Sequence, residues 1–177
     1  GFGFGDSLGV ETATVHILNH GIFKASLFMI AGIIAHEAGS RSIRELSGLR
    51  KSMPLTAVVA TLSGLSMAGL PLLGCFFSKE LLYESSIHAF SHGSTIFIPI
   101  VSFLASVFTL LYSLKFLSIF YLGEDSGAHG EPFKLLLPPA LLAGITLFFG
   151  LFPGFLSALA GFMAQTIADL HSIELHY

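Results

Sequence analysis

The chain has 177 residues and a formal net charge of −3; 11% of its residues are charged, 53% are hydrophobic, and its mean hydropathy is +0.81. A soluble domain carries about 25% charged residues, so the composition excludes an ordinary water-soluble protein and indicates a chain embedded in lipid. The small net charge and the lack of a basic block in the sequence argue against a nucleic-acid partner. A single cysteine, Cys75, permits no internal disulfide.

Four hydrophobic regions follow one another along the chain. A membrane-spanning helix needs ~20 residues at a rise of ~1.5 Å per residue, and the first, third and fourth regions each fit one such helix. The second region is too long for one straight span and contains Gly69, Pro71 and Gly74 near its middle. The predicted spans are 12–36, 54–90 with a break at 71–75, 96–122 and 135–152.

The break in the second region determines the predicted architecture. Pro71 lacks a backbone N–H and glycine weakens a helix. Within a bilayer such a break persists only where protein or water satisfies the freed backbone groups. The sequence therefore predicts an all-α integral membrane protein, a bundle of four spans of which the second is a discontinuous helix. Residues 155–170 are apolar but short, and are assigned as a candidate interfacial helix.

The basic residues predict the orientation in the membrane. Lys134 lies in the third connection, and four further basic residues lie in the first: Arg41, Arg44, Arg50 and Lys51. Because cytoplasmic loops carry an excess of Lys and Arg, loops 37–53 and 123–134 are expected to be cytoplasmic in a multi-pass protein of the cell membrane. Both ends of the chain are then extracytoplasmic. Since residue 1 is Gly and the chain stops in a polar segment, residues 1–177 are expected to be one membrane-embedded piece of a longer subunit.

Three ionisable residues recur every fourth position in the first predicted helix. His16, His20 and Lys24 share one face of that helix. A charge at the bilayer centre costs at least ~2.5–3.5 kcal/mol on insertion scales, so the presence of three ionisable residues in this helix needs a structural or functional explanation. One interpretation is hydrogen bonding between helices. A row of three titratable groups favours a proton relay instead, because histidine changes charge near neutral pH.

The broken helix carries a second set of ionisable residues. Lys79 and Glu80 follow the break directly, and Glu84 and His88 continue the row from Glu80 at intervals of four. Neighbouring residues lie roughly 100° apart around a helix, so Lys79 and Glu80 cannot be assumed to pair directly. An ionisable residue beside an unwound segment is typical of ion sites in discontinuous helices. The alternative is a static buried ion pair, which stabilises little.

The third predicted helix is a weaker candidate. Its hydroxyl side chains lie along one face: Ser102, Ser106, Thr109 and Ser113. Such a row is more often found in helix packing than in proton conduction. Tyr112 and Lys115 are secondary candidates for the path, together with Glu84 and His88. His36 and Glu37 lack the second histidine of a zinc-protease motif, and no Cys/His spacing indicates a metal site.

Three segments in fixed order resemble a known family: HILNHGIFKASLF, SIRELSGLRKSMP and SGLSMAGLPLLGCFFSKELL. They are similar to the antiporter-like membrane subunits of respiratory complex I and of Mrp-type multisubunit Na⁺/H⁺ antiporters. The phrases HEAGSRSIRELSGL and PPALLAGITLFFGLFP look closer to the large A subunit of the Mrp type. The resemblance implies that Lys79, followed by Glu80, stands at the family's broken-helix lysine. It also aligns His16, His20 and Lys24 with a helix along which family members move protons.

The resemblance implies a function in transport rather than in enzymatic catalysis. The expected role is part of the proton path of a Na⁺/H⁺ antiporter, with other membrane subunits as partners, H⁺ and Na⁺ as the transported ions, and no cofactor. One alternative is the equivalent subunit of an NADH:quinone oxidoreductase or a related redox-driven pump, which would use the same residues. Another alternative is a structural membrane anchor whose buried charges only hold the assembly together.

Overall fold

The structure is a computed structural model that describes residues 7–93 and 95–174. Its secondary structure over these residues is helical: α1 (Ser7–Glu37), α2 (Pro54–Ala68), α3 (Gly74–Ser91), α4 (Phe97–Tyr121), α5 (Phe133–Leu151) and α6 (Pro153–Glu174). Helices α1, α4 and α5 are long and apolar enough to cross a membrane, whereas α2 and the first part of α6 are shorter apolar helices. The predicted class, an all-helical membrane protein, is confirmed.

The helix ends differ from the predicted spans at several points. Helix α1 begins at Ser7 rather than at residue 12, because its first turns continue through polar residues that a hydrophobicity pattern does not detect. The non-helical link between α2 and α3 covers residues 69–73 rather than 71–75. Helix α6 starts after the single residue Phe152 and continues to Glu174, beyond the predicted 155–170.

Helix α1 lies at the centre of the packing. It contacts α2, α3, α5 and α6, while α2 and α3 both pack against α4 and α5. The largest described hydrophobic cluster joins α1, α2, α4 and α5 near the 38–53 loop, and it includes Ile30, Leu49, Met53, Ala60 and Phe120, each fully buried. Helix α4 leaves most of its apolar side chains exposed, as a helix facing lipid or further protein would.

The loops that follow α1 and α4 are joined by backbone hydrogen bonds. The Gly48 N–H donates to Leu122 O at 2.8 Å, and the Ser126 N–H donates to Ser47 O at 3.0 Å. The Leu49 N–H also donates to a carbonyl in the last turn of α4, at 3.2 Å. The carboxyl ends of α1 and α4 therefore lie at the same end of the bundle. This geometry brings the first and third connections of the chain together.

Candidate functional site at the helix break

The link between α2 and α3 is an ordered interruption. Gly69 takes a left-handed conformation (φ 83°) and its N–H donates to Leu65 O at 3.1 Å. The Leu70 N–H donates to the same carbonyl at 3.1 Å, which is the usual way for a helix to end at glycine. Pro71 follows, and Leu72 has the rare positive φ of 71° for a residue with a side chain. Helix α2 therefore stops at a defined point.

Lys79 lies near the start of α3 and is hydrogen bonded to the carboxyl end of α2. Its Nζ donates to Ala68 O at 2.7 Å, and its aliphatic chain lies over Gly69. A Cβ atom at position 69 would stand 2.5 Å from Lys79 Cδ, so the glycine makes room for the lysine. The carboxyl end of a helix carries a partial negative charge that favours a cation. The break therefore provides a backbone acceptor and a favourable potential for the Lys79 ammonium.

A cavity of about 420 Å³ lies beside Lys79, between α3 and α4. Its polar lining consists of Lys79, Glu80, Tyr83 and Ser106. We call it the break cavity. Glu80 is exposed, and among the described residues no ion pair links its carboxylate to Lys79. Tyr83 was not among the predicted site residues, although its spacing of four from Lys79 places both on one helix face.

The polar face of α1 meets the start of α3. His16 Nδ1 and Ser78 Oγ form a hydrogen bond of 2.7 Å, and Ser78 is fully buried. Asn19 Nδ2 donates to Gly74 O at 3.0 Å. The rings of His16 and His20 lie 5.6 Å apart. The first residue of the predicted relay is thus linked to the neighbour of Lys79, while the second follows one turn further along α1.

Lys24 lies at the other end of this face. Its Nζ stands 5.7 Å from the centre of the Tyr112 ring on α4, a distance at which a cation is attracted to the ring. Lys24 is half-buried and Tyr112 is exposed. Lys115, the other candidate on α4, is exposed as well. The structure therefore brings Lys24 and Tyr112 together, and no described hydrogen bond joins Lys24 to Lys79.

Glu84 and His88 lie along α3, away from the break. They line a second, open cavity of about 570 Å³ together with Glu80. The His88 ring lies 4.5 Å from that of His92. Because Glu80 lines both cavities, it connects the surroundings of Lys79 with the far end of α3. In the part of the chain that the structure describes, no cluster of His, Cys, Asp or Glu is arranged to hold a metal ion.

The hydroxyl row of α4 is engaged within its own helix. Ser106, Thr109 and Ser113 each donate to the carbonyl four residues before, at 3.1, 2.7 and 2.6 Å. Ser102 instead shares a 3.0 Å hydrogen bond with Ser86 of α3. A bond to the carbonyl four residues before lies within one helix, so among the described residues the Ser102–Ser86 bond is the one by which this row joins α4 to α3. A packing role for the row stays a prediction.

A bundle of long apolar helices, in which Lys79 binds the end of α2 and His16 is hydrogen bonded to Ser78 of α3, defines an integral membrane protein with ionisable residues between its helices. The chain belongs to the transmembrane family of NADH:quinone oxidoreductases and Mrp antiporters, whose profile matches residues 1–109. The family resemblance predicted from the sequence is thereby confirmed.

Two similar curated proteins indicate which member of the family this chain resembles. The Na⁺/H⁺ antiporter subunit A1 of Staphylococcus haemolyticus (strain JCSC1435) is 36% identical over 162 residues, which are 84% of this chain and 20% of that protein. The subunit A1 of Staphylococcus aureus (strain Newman) is 38% identical over 157 residues, 82% of this chain and 20% of that protein. The chain therefore resembles an A subunit, and it spans about a fifth of the length of these curated relatives.

Solved structures give the same result for the fold. The Mrp complex from Dietzia sp. DQ12-45-1b matches with a TM-score of 0.80 at 26% identity, over 90% of this chain and 38% of the matched chain. A membrane-bound sulfane sulfur reductase, an archaeal respiratory membrane complex, matches with a TM-score of 0.73 at 27% identity, over 81% of this chain and 24% of the matched one.

Proposed function

We propose that this chain forms part of the proton path in the A subunit of a multisubunit Na⁺/H⁺ antiporter. The observation that carries the proposal is the position of Lys79, whose Nζ lies 2.7 Å from the Ala68 carbonyl and lines the break cavity. An ammonium bound to a backbone carbonyl beside a cavity of about 420 Å³ can exchange its proton with water there. The named function of the similar A1 subunits supports this assignment.

The proposed path continues from Lys79 in two directions. On one side, Ser78 connects Lys79's helix to His16, and His20 and Lys24 extend the row along α1. On the other side, Glu80 tunes the charge at Lys79 and borders both cavities. Water bridges the gaps that side chains do not span. Glu84, His88, Tyr112 and Lys115 are secondary members of this path.

The proposed membrane arrangement treats α2 and α3 as two halves of one crossing. The loops after α1 and α4 are hydrogen bonded at one end of the bundle, so the segment between those loops must cross the membrane an even number of times. Helix α4 supplies one crossing, and α2 with α3 supplies the other. Loops 37–53 and 123–134 then face the cytoplasm, both ends of the chain face outward, and residues 155–170 lie at the interface or lead into a further span.

The proposed partners are other membrane subunits of a hetero-oligomeric antiporter complex, with H⁺ and Na⁺ as transported ions and the bilayer as surroundings. The matched Mrp complex supports the multisubunit arrangement. A second candidate is a redox-driven pump that uses the same residues, which the match to an archaeal respiratory complex supports. Under that alternative, electron transfer rather than an ion gradient would drive proton movement.

Substitution of Lys79 by Ala in the intact complex tests the proposal. Everted membrane vesicles carrying the complex are energised to form a pH gradient, and Na⁺ is added while a fluorescent dye reports the gradient. Lys79→Ala is expected to abolish Na⁺-dependent proton movement at normal assembly, whereas Lys134→Ala, which removes a charge from the first turn of α5, keeps it. Retained exchange in Lys79→Ala with normal assembly would instead support a structural anchor.

A further inference from the structure

Helix α2 begins without a cap of its own. The residue before it, Met53, makes no side-chain hydrogen bond to the first turn, and Pro54 occupies the first helical position. The carboxylate of Glu131 takes over this role from outside the helix. The Thr56 N–H donates to Glu131 Oε1 at 3.0 Å, and Thr56 Oγ1 donates to Oε2 at 3.0 Å. A carboxylate at this position satisfies an otherwise free N–H and opposes the positive end of the helix dipole.

Glu131 is held in place by the loop that connects α4 to α5. The His129 N–H donates to Glu37 O at the end of α1, at 3.1 Å, and Ser126 is bound to the 38–53 loop. The partner of Glu131, Thr56, is fully buried. The Glu131 carboxylate therefore connects α2 to the loop between α4 and α5, and that loop is also hydrogen bonded to the end of α1. Glu131 lies 75 residues from Thr56 along the chain.

Helix α2 thus has a charged side chain from another element at each end. Glu131 binds its first turn and Lys79 binds its last carbonyl. The helix has 15 residues, which corresponds to a length of roughly 22 Å. Its face with Ala60, Gly64 and Ala68 is made of small side chains, which let a neighbouring helix approach closely, and a side chain of α4 lies against Gly64. The two end contacts therefore connect the first and last turns of this packed helix to other elements.

We propose that Glu131 is a positioning residue for Lys79. By holding the first turn of α2, it keeps the Ala68 carbonyl within hydrogen-bond distance of Lys79 Nζ at the opposite end of the helix. Its role in transport rests on the proposed function, but its effect on Lys79 is a structural statement that can be tested separately. Without the carboxylate, α2 shifts or frays, and the ammonium loses its backbone acceptor.

The test compares three variants in the intact complex. Glu131→Gln removes the charge and keeps the size, Thr56→Val removes the hydroxyl donor from the other partner, and Glu124→Gln removes a charge from the same loop as a matched control. Reductive methylation with formaldehyde measures the accessibility of the Lys79 amine by mass spectrometry, with Lys134 as internal reference. Deuterium exchange of the α2 amides is measured on the same samples.

Glu131→Gln keeps an amide oxygen that can accept from the Thr56 N–H but loses the negative charge at the start of α2; it is expected to raise the labelling rate of Lys79 up to about fivefold, the factor that corresponds to one charge lost at a helix terminus. Thr56→Val gives a smaller rise, and its effect is not additive with that of Glu131→Gln; Glu124→Gln gives none. If Glu131→Gln does not assemble, Thr56→Val carries the test because valine replaces threonine with little change of shape. Faster deuterium exchange in α2 with unchanged Lys79 labelling would overturn the proposal, since Glu131 would then act only locally.

Transport measurements separate this inference from the proposed function. If Lys79→Ala keeps full exchange while Glu131→Gln still raises Lys79 labelling, the proton path is wrong and the positioning contact stands. If Lys79→Ala abolishes exchange while Glu131→Gln leaves both labelling and exchange at wild-type values, the proton path stands and the positioning role is refuted.

Discussion

Gly150 of α5 lies directly against the carbonyl group of Leu72 in the link between α2 and α3. A Cβ atom at position 150 would overlap the Leu72 oxygen and approach Leu73 Cα to 2.5 Å. The backbone of α5 therefore packs directly against the link between α2 and α3. This contact explains how Leu72, with its positive φ, is kept in an unfavourable conformation.

Gly150→Ala is expected to destabilise the protein by about 1–3 kcal/mol. The added methyl group would overlap backbone atoms of the link, which cannot relieve the overlap by rotating a side chain. The matched control is Gly144→Ala in the same helix, where a Cβ would meet nothing within 4 Å. That change is expected to be neutral or slightly stabilising, because alanine favours a helix by about 0.5–1 kcal/mol. Thermal unfolding midpoints of the purified complex measure both. Equal midpoints for the two variants would contradict the close contact.

Gly69→Ala tests whether the space above Gly69 serves Lys79. Both Gly69 (φ 83°) and Gly93 (φ 96°) adopt a left-handed conformation, so alanine at either position costs about 1–2 kcal/mol in backbone strain. A Cβ at position 69 also reaches the Lys79 side chain, whereas a Cβ at position 93 meets nothing within 4 Å. Stability is expected to fall similarly in both variants, while Na⁺-dependent proton movement falls only in Gly69→Ala. An equal loss of exchange in Gly93→Ala would assign the effect to strain alone.

The hydrogen bond between His16 and Ser78 can be measured with a double-mutant cycle. We expect the interaction energy from His16→Leu, Ser78→Ala and the double variant to be about 1 kcal/mol, as for an ordinary hydrogen bond within a protein. If the bond also belongs to the proton path, each single variant lowers the exchange rate and the double variant lowers it no further. Stability is read from thermal unfolding and exchange from the vesicle assay. Additive losses in both measurements would show that the two residues act independently.

Sequence patterns predicted an interruption near Pro71 and a polar row on α1, because both are local features. Pro71 and its neighbouring glycines interrupt a helix wherever they occur, and a spacing of four places His16 and His20 on one face. The link nevertheless ends two residues earlier than predicted, at 73. Gly69 terminates α2 by its own left-handed conformation, so the proline follows the stop rather than causing it.

The partners of the charged residues could not be read from the sequence. Lys79 binds a backbone carbonyl, and backbone acceptors leave no trace in a pattern of side chains. Lys24 faces Tyr112 on a helix far along the chain. The 123–131 loop gave no sign of a role, yet its Glu131 caps α2. One signal was available: Met53 and Pro54 offer no capping side chain, so the cap had to come from elsewhere.

Buried hydrogen bonds of serine hydroxyl groups join α1, α2 and α5. They predict three substitutions with effects of different size. Ser26 Oγ donates to Pro139 O at 3.0 Å and lies 2.7 Å from Ser63 Oγ. Since the Ser26 proton is directed at Pro139, Ser63 is the donor in the second bond. Ser66, one turn further along α2, is fully buried, and its hydroxyl has no hydrogen-bond partner among the described residues.

Alanine at these three positions is expected to differ in effect. Ser26→Ala removes both bonds and leaves the Ser63 hydroxyl buried without its acceptor, which costs about 1–3 kcal/mol. Ser63→Ala leaves the bond from Ser26 to Pro139 intact and costs about 0.5–1.5 kcal/mol. Ser66→Ala is neutral or stabilising, because it removes a buried polar group that gains nothing from the fold. Thermal unfolding of the three variants gives the order, and a loss in Ser66→Ala as large as in Ser26→Ala would mean that an ordered water binds Ser66.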